Sequence, residues 1–298
     1  MSQNLCEHAS ESASMQKSSR LGLLQIHISV ILAGGAGLFG KLVTVSPKMI
    51  TCGRTFFGSL ALGLVSLCMG SSLRTRSAKD LCLLAGSGFV LAIHWYSFFA
   101  SIHISTIAIG LLSFSTFPLF VTFLEPLVFK EKLKTLDIWI ALLVVLGLLF
   151  VIPEWDISNH LTQGALWGIL SAFSYSVLSI WTRSLVKSYT AMSVAFYQQG
   201  FATLCVLPFA VKSEALPAGQ NLVYLAILGI VFTGLAHGLA VASLRHLRAQ
   251  MVGVAFGMEP VYGIIFAWLI LGEKPQMQTL LGGMLILSAV ILASFKAR

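Results

Sequence analysis

Charged residues are scarce in this chain: Asp, Glu, Lys and Arg make up 10% of its 298 residues, whereas 57% are hydrophobic. A water-soluble domain usually carries about a quarter charged residues. A chain this poor in charge cannot cover a surface that faces water on all sides. The composition therefore excludes a soluble enzyme and indicates a protein that lies within a lipid bilayer.

Motifs for metal, nucleotide and nucleophile chemistry are also missing. The only aspartates, Asp80, Asp137 and Asp156, lie at the ends of apolar segments. No HExxH and no GxxxxGK[ST] sequence occurs, which argues against a zinc protease site and against direct ATP hydrolysis. The five cysteines form no CxxC pair and are explained as small buried side chains. We therefore predict no enzyme activity, no catalytic residues, no metal and no cofactor.

Long apolar segments dominate what is present. Residues 1–20 are polar and rich in serine, and we predict a disordered cytoplasmic tail there. Ten apolar segments follow, each long enough to cross a bilayer as a helix. Lipid offers no partner to backbone amides, so these segments predict an all-α integral membrane protein with ten transmembrane helices. The predicted helices cover residues 21–44, 49–70, 80–100, 104–129, 135–152, 163–183, 190–211, 220–243, 249–271 and 276–295.

The formal net charge of +8 follows the membrane topology. If the N-terminus is cytoplasmic, ten spans place 14 Lys and Arg residues inside and 4 outside, as the positive-inside rule requires. No basic cluster with interleaved aromatics indicates a nucleic-acid site. We predict cytoplasmic N- and C-termini and a lipid bilayer as partner, with no nucleic-acid partner. The sequence carries no signal for an oligomeric state.

The two halves of the chain align without a gap at an offset of 142 residues. This offset predicts a first repeat over 21–156 and a second over 157–298, each with five spans. Because five is odd, the second repeat enters the membrane from the opposite side, and such inverted repeats suit alternating access around a midplane site. Some passive channels are also inverted repeats, so that class stays open. Matched residues include Pro118 with Pro260, Gly58 with Gly200, Phe114 with Phe256, and Glu131-Lys132 with Glu273-Lys274.

Polar residues inside the predicted spans are functional candidates, because charge is costly in lipid. Glu259 lies near the middle of the ninth span and could bind an amine or a proton. His94, followed by Trp95, lies in the third span, and His237 lies in the eighth. Each could instead only fix helix packing. The predicted substrate-binding residues are Glu259, His94, His237, Tyr175, Trp95 and Phe117.

A second set of residues concerns helix ends and helix bending. The matched Pro118 and Pro260 are predicted to be flexible points of the fourth and ninth spans, with tolerated kinks as the alternative. Glu125 is predicted to act as a gate or at a helix end. For Arg54, in the second span, we favour a side chain that reaches out to the interface with its charge in water. The Glu-Lys pairs after the fourth and ninth spans are predicted to anchor helix ends.

Two stretches resemble a known family. The fourth span, FSTFPLFVTFLEPLVFKEKL, and its C-terminal copy, GMEPVYGIIFAWLILGEKP, look like the EamA-type domain of the drug/metabolite transporter superfamily. The resemblance covers roughly residues 21–295. It implies a carrier of the bacterial inner membrane with a central cavity lined by the first, third, fourth, sixth, eighth and ninth spans. Relatives of this kind export amino acids, and some import S-adenosylmethionine.

The expected function is therefore a secondary transporter of an amino acid or another amine-bearing metabolite. Its partners would be that small-molecule substrate and a coupling proton. Uptake or exchange of a nucleoside-linked metabolite such as S-adenosylmethionine is the alternative within the same class. A passive channel is the alternative from another class.

Overall fold

The computed structural model describes residues 2–70, 72–129, 135–151 and 156–296, and in these residues it contains helices and no strand. Fourteen α-helices occur in this part of the chain, and two π-helical turns, Ile230–Leu235 and Ala267–Leu271, interrupt the regular helix. The α-helices are α1 (Ser2–Ala36), α2 (Phe39–Leu42), α3 (Pro47–Cys68), α4 (Ala78–Ile104), α5 (Ile107–Phe114), α6 (Phe117–Phe129), α7 (Thr135–Val151), α8 (His160–Leu185), α9 (Ala191–Ser213), α10 (Gly219–Gly229), α11 (Ala236–Ser243), α12 (Ala249–Phe256), α13 (Glu259–Phe266) and α14 (Met277–Lys296).

The lengths of the helical segments confirm a helical membrane protein. Eight segments of the described chain are long and apolar enough to cross a bilayer, and several join two of the shorter helices end to end. Two further apolar stretches, Ile138–Val151 in α7 and Met277–Ala289 in α14, are shorter. They correspond to the predicted fifth and tenth spans. The count of ten spans therefore stays a prediction.

The predicted disordered tail is the one part of the N-terminal region that differs from expectation. The structure continues α1 back to Ser2, so the polar segment is the start of a long helix. Residues 2–20 contain neither proline nor glycine, the two residues that most oppose a helix. Polarity therefore marked where the membrane segment begins but did not mark the end of the helix.

Side-chain caps explain where several helices begin. The hydroxyls of Ser46, Ser77, Thr106 and Thr190 each accept a hydrogen bond from a backbone N–H in the first turn of α3, α4, α5 and α9. Asn159 does the same for α8. Such caps satisfy amide groups that have no partner inside the helix. Short polar sequences between apolar segments thus determine the helix starts.

The fourth and ninth predicted spans are each broken into two helices. The first break separates α5 from α6 at 115–116, and the second separates α12 from α13 at 257–258, which is the same position of the repeat. Pro118 and Pro260 are each the second residue of the helix after the break, where a missing N–H costs no intrahelical bond. The continuous, kinked spans that we predicted are therefore interrupted spans. Flexibility at the two prolines stays a prediction.

The helices of the two halves pack in matched pairs. Helix α3 packs on α9, and α7 packs on α14. Helix α4 packs on α8 as α11 packs on α1, and α6 packs on α8 as α13 packs on α1. Each contact reappears when the helices of one half are exchanged for those of the other. The core of the molecule lies where α1, α4, α8, α11 and α13 meet.

One hydrogen bond is repeated at matched positions of the two halves. Ser171 Oγ in α8 donates to the carbonyl oxygen of His94 in α4 at 3.2 Å. Ser29 Oγ in α1 donates to the carbonyl oxygen of Ala236 in α11 at 2.8 Å. Both members of the second pair lie 142 residues after or before their counterparts. The offset found in the sequence is therefore also an offset of contacts between helices.

Candidate functional site

A small cavity lies at the centre of the bundle, between the two halves. Its free volume is about 20 Å³, roughly enough for one water molecule. The lining residues come from α1, α4, α5, α8, α11, α12 and α13 and from the first π-helical turn. They are Ser29, Ala33, His94, Trp95, Phe98, Phe114, Tyr175, Phe232, Ala236, His237, Ala240, Phe256 and Glu259. We call this space the central cavity.

One side of the central cavity is built from rings. This aromatic wall consists of His94, Trp95 and Phe98 of α4, Phe114 of α5 and Tyr175 of α8. The centroid of the His94 ring lies 4.4 Å from that of Trp95 and 4.6 Å from that of Tyr175. Tilted and edge-on rings at such distances attract one another and form a rigid, polarisable surface. This surface can pack against the apolar part of an organic molecule or against a cation.

The facing side of the central cavity is built from small residues. This small wall consists of Ser29 and Ala33 of α1 and Ala236, His237 and Ala240 of α11. Its only large side chain is that of His237. The small wall leaves what little space the cavity has, and it meets the aromatic wall at Glu259.

Five of the six residues predicted to bind a substrate line this cavity, and the sixth does not. Phe117 lies one layer behind the aromatic wall, with its ring centroid 4.9 Å from that of Tyr175. It is fully buried and stacks in parallel on Phe114 at 6.1 Å. Phe117 therefore supports the wall from behind in this state of the molecule.

The two histidines face each other from opposite walls, and each is held by a hydrogen bond. His94 Nδ1 lies 2.8 Å from Ser171 Oγ. His237 Nε2 lies 3.0 Å from Gln198 Oε1, while Gln198 Nε2 donates to Thr182 Oγ1 at 2.8 Å. Because the amide of Gln198 is used as a donor to Thr182, its oxygen accepts from His237, which assigns the proton of His237 to Nε2. Both rings are thus fixed in orientation.

Glu259 is the only acidic residue on the central cavity. It is 3% exposed and is the first residue of α13, where the free N–H groups of the helix favour a negative charge. Its Oε2 atom has no hydrogen-bond partner in the part of the chain that the structure describes. Buried polar atoms are nearly always paired, so this oxygen is poised to accept a proton or an ammonium group. No cluster of three His, Cys, Asp or Glu that could hold a metal occurs among the described residues.

Arg54 corrects our prediction of a side chain that reaches the interface. It is completely buried, and its Nε donates to Thr233 Oγ1 at 2.9 Å and its Nη2 to the Phe232 carbonyl oxygen at 3.4 Å. Its guanidinium carbon lies 3.4 Å from the centroid of the Trp95 ring. Trp95 lines the central cavity, so Arg54 sits directly behind the aromatic wall.

The first π-helical turn and two glycines make room for this arginine. Thr233 lies in that turn and donates its own hydroxyl to Leu228 O at 2.8 Å while accepting from Arg54. A Cβ atom on Gly58 would lie 3.2 Å from the carbonyl oxygen of Gly229, so only small residues allow α3 and α10 to cross this closely. Gly58 is one turn after Arg54 and on the same face of α3. That spacing was the sequence signal that Arg54 points into the bundle.

Polar contacts tie the helices together at both ends of the bundle. At one end, Lys41 Nζ donates to the Ser105 carbonyl oxygen at 2.7 Å, and Glu273 Oε1 accepts from the backbone N–H of Ile107 at 2.9 Å. At the other end, Arg183 and Glu125 form an ion pair of 2.5 Å between α8 and α6. Glu273 thus holds a helix end as predicted for the Glu-Lys pairs. The other pair, Glu131-Lys132, lies outside the described residues.

Comparisons with known proteins agree with this architecture. The model of the EamA-like transporter family matches residues 20–152 and again residues 162–295. An uncharacterized transporter of Archaeoglobus fulgidus is 24% identical over 92% of this chain and 96% of its own length. The pseudopaline exporter CntI of Pseudomonas aeruginosa is 27% identical over 84% of this chain and 87% of its own. The uncharacterized inner membrane transporter YicL of Salmonella typhimurium is 25% identical over 94% and 97%.

A solved crystal structure shares the fold. It superposes with a TM-score of 0.71 at 18% sequence identity and covers 95% of this chain and 98% of its own. At this identity the likeness concerns the arrangement of the helices and carries nothing about a ligand.

Proposed function

Because the chain belongs to the EamA-like transporter family, we propose that it is a secondary transporter of a small amine-bearing metabolite, such as an amino acid. One observation carries the proposal. Glu259 places a buried carboxylate, with one oxygen lacking a hydrogen-bond partner, on a closed cavity between the two halves. A lone buried acid is costly in a membrane protein and is kept where it binds a cargo. A substrate ammonium group, or a coupling proton, would satisfy it.

We further propose that ten helices span the membrane as two inverted repeats, over 21–156 and 157–298. The matched packing of the helices and the repeated Ser29 and Ser171 bonds support a two-fold relation between the halves. The bacterial inner membrane, with both termini in the cytoplasm, is the location that the positive-inside charge distribution supports.

Alternating access is the mechanism that this geometry supports. The central cavity is too small for any metabolite, and polar contacts close both ends of the bundle. A substrate therefore enters only when one end opens and the cavity widens. The breaks before Pro118 and Pro260 supply points where the fourth and ninth spans can bend, since neither break has a continuous ladder of helix hydrogen bonds. Glu125, paired with Arg183, would act as part of the gate at its end.

The cavity walls divide the work of recognition. Glu259 binds the amine, and Tyr175 and Trp95 of the aromatic wall pack on the organic part of the substrate. His94 and His237 face the substrate from the two walls, each already oriented by a hydrogen bond. The pseudopaline exporter among the relatives supports an organic metabolite as cargo. A nucleoside-linked metabolite such as S-adenosylmethionine offers the same amine and remains the alternative substrate.

Counterflow into proteoliposomes tests the proposal and separates a carrier from a passive channel. Vesicles are preloaded with unlabelled proteinogenic amino acids, and entry of labelled amino acids from outside is followed. A carrier gives entry that preloading accelerates. A channel gives entry that preloading leaves unchanged, and this result for every amino acid would remove the proposal.

The variant Glu259→Gln ties the activity to the cavity. It is expected to lower counterflow by about a hundredfold or more, since a buried charge pairing with the substrate is lost. Asp156→Asn is the matched control, because Asp156 is exposed in a loop and bonds only to Ser158. The control is expected to transport at the wild-type rate.

A further inference from the structure

Two buried charges of opposite sign flank the central cavity without touching. Arg54 lies behind the aromatic wall and Glu259 lies where the walls meet, and the two interact electrostatically. Yet the only ion pair with N and O within 4.0 Å in the described residues is the one between Arg183 and Glu125. A buried Arg and Glu that merely neutralised each other would be expected to pair directly, since the separation forfeits most of the attraction.

Three polar atoms around this space lack hydrogen-bond partners. They are Arg54 Nη1, Trp95 Nε1 and Glu259 Oε2, in the part of the chain that the structure describes. Two are donors and lie together, because the guanidinium stacks on the indole ring. The third is an acceptor. Leaving buried groups unsatisfied is costly, and the three together form two donors that suit an anion and one acceptor that suits a cation.

The scaffold itself does not require either charge. The repeat partner of Arg54 is Phe196, and the repeat partner of Glu259 is Phe117. Each half of the molecule therefore folds the corresponding position with an apolar ring. Arg54 is nevertheless given its own pocket by Thr233 and the carbonyl of Phe232. Such provision is explained by a ligand rather than by packing.

On the basis of the proposed function, we propose that Arg54 and Trp95 form a subsite for a negatively charged group of the substrate. The substrate then carries both charges: an ammonium group on Glu259 and a carboxylate or similar anion on Arg54. Since the cavity must widen to admit any substrate, a shift of the Trp95 ring is sufficient to bring the guanidinium into it. Arg54 is thus a specificity-determining residue of the transport reaction.

Three matched ligand series test this subsite on the purified full-length protein. They are the proteinogenic amino acids, the primary amines that lack the carboxylate, and the acids that lack the amine. We expect at least one amino acid to bind roughly tenfold or more tightly than both its amine and its acid, because a site built for a polar group rejects the analogue without it. Equal binding of amino acid and amine, or no binding by any amino acid, would overturn the subsite.

Variants assign the preference to Arg54. In Arg54→Gln the affinity for the amino acid is expected to fall to that for its amine, while the affinity for the amine stays unchanged. Thr233→Val is the control: it removes the acceptor of the Arg54 Nε–H but keeps the charge, so the preference survives. An equal loss for amine and amino acid in a folded Arg54→Gln protein would show a structural role only. If that variant does not fold, Arg54→Lys replaces it and is expected to keep the preference.

Failure of the subsite differs from failure of the proposed function. A protein that exchanges amines by counterflow but ignores the carboxylate is still a carrier, and only the role of Arg54 is lost. A protein in which preloading never accelerates entry loses both.

Discussion

The two walls of the central cavity occupy the same positions of the repeat but carry opposite side chains. His94 and Phe98 of the aromatic wall correspond to Ala236 and Ala240 of the small wall. Tyr175 corresponds in the same way to Ala33. The residues that hold the helices together, by contrast, are kept in both halves, as Ser29 and Ser171 show. The duplicated scaffold therefore encloses the cavity, and the departures from the duplication give it chemistry.

The backbone differs between the walls as well. The helices of the aromatic wall contain a single break, between α5 and α6. The helices around the small wall contain breaks after α1 and after α12 and both π-helical turns. Such irregular turns often mark functional sites and places where helices bend. We infer that the small wall moves against a more rigid aromatic wall during transport.

Filling the small wall should have the largest effect on transport. Ala240→Phe puts the ring of Phe98 at its mirror position and removes the remaining cavity space. We expect counterflow to fall by about a hundredfold or more, with a cost in stability of about 1–3 kcal/mol from overpacking. Leu235→Phe adds a similar ring on an exposed part of the same span and should leave counterflow unchanged. Normal transport by Ala240→Phe would show that substrates pass elsewhere.

Removing a ring from the aromatic wall should have a smaller effect. Tyr175→Ala makes the position resemble its partner Ala33 and deletes ring contacts to His94, Phe114 and Phe117. Substrate affinity should fall by about tenfold, the value of one good aromatic contact. Tyr175→Phe keeps the ring and is expected to bind as the wild type does. A loss of equal size in both variants would assign the effect to the hydroxyl and refute the stacking role.

Breaking the matched serine bonds should have the smallest effect, and the same effect twice. Ser29→Ala and Ser171→Ala each delete one side-chain bond between the halves, and each should lower the free energy of unfolding by about 1 kcal/mol. Thermal unfolding in detergent measures this, with Ser288→Ala as a control because Ser288 is exposed. Transport should be retained in all three. Clearly unequal losses at Ser29 and Ser171 would mean that the two contacts are not equivalent.

The sequence allowed the helices and most of the lining residues of the cavity to be predicted, because both depend on local patterns. Hydropathy marks the apolar segments, and a titratable residue inside one stands out, as Glu259 and His237 did. Arg54 was misjudged because its surroundings come from a distant part of the chain, Phe232 and Thr233. A linear hydropathy pattern contains no information on which helix lies opposite a residue.

The broken fourth and ninth spans were missed for a related reason. Apolar residues continue through both breaks, so composition alone gives no sign of an interruption. The prolines marked the neighbourhood, but proline is accepted both in a kinked helix and at a helix start. Only the hydrogen bonds of the folded chain distinguish the two.

The inversion of the two repeats is the claim on which alternating access depends, and labelling of matched positions tests it most directly. Val45 follows the first span and Lys187, 142 residues later, follows the sixth. In a background without native cysteines, Val45→Cys and Lys187→Cys are exposed in turn to a membrane-impermeant thiol reagent on intact cells. We predict that Val45→Cys reacts at once and that Lys187→Cys reacts only after the membrane is permeabilised. Reaction of both from the same side would contradict the account.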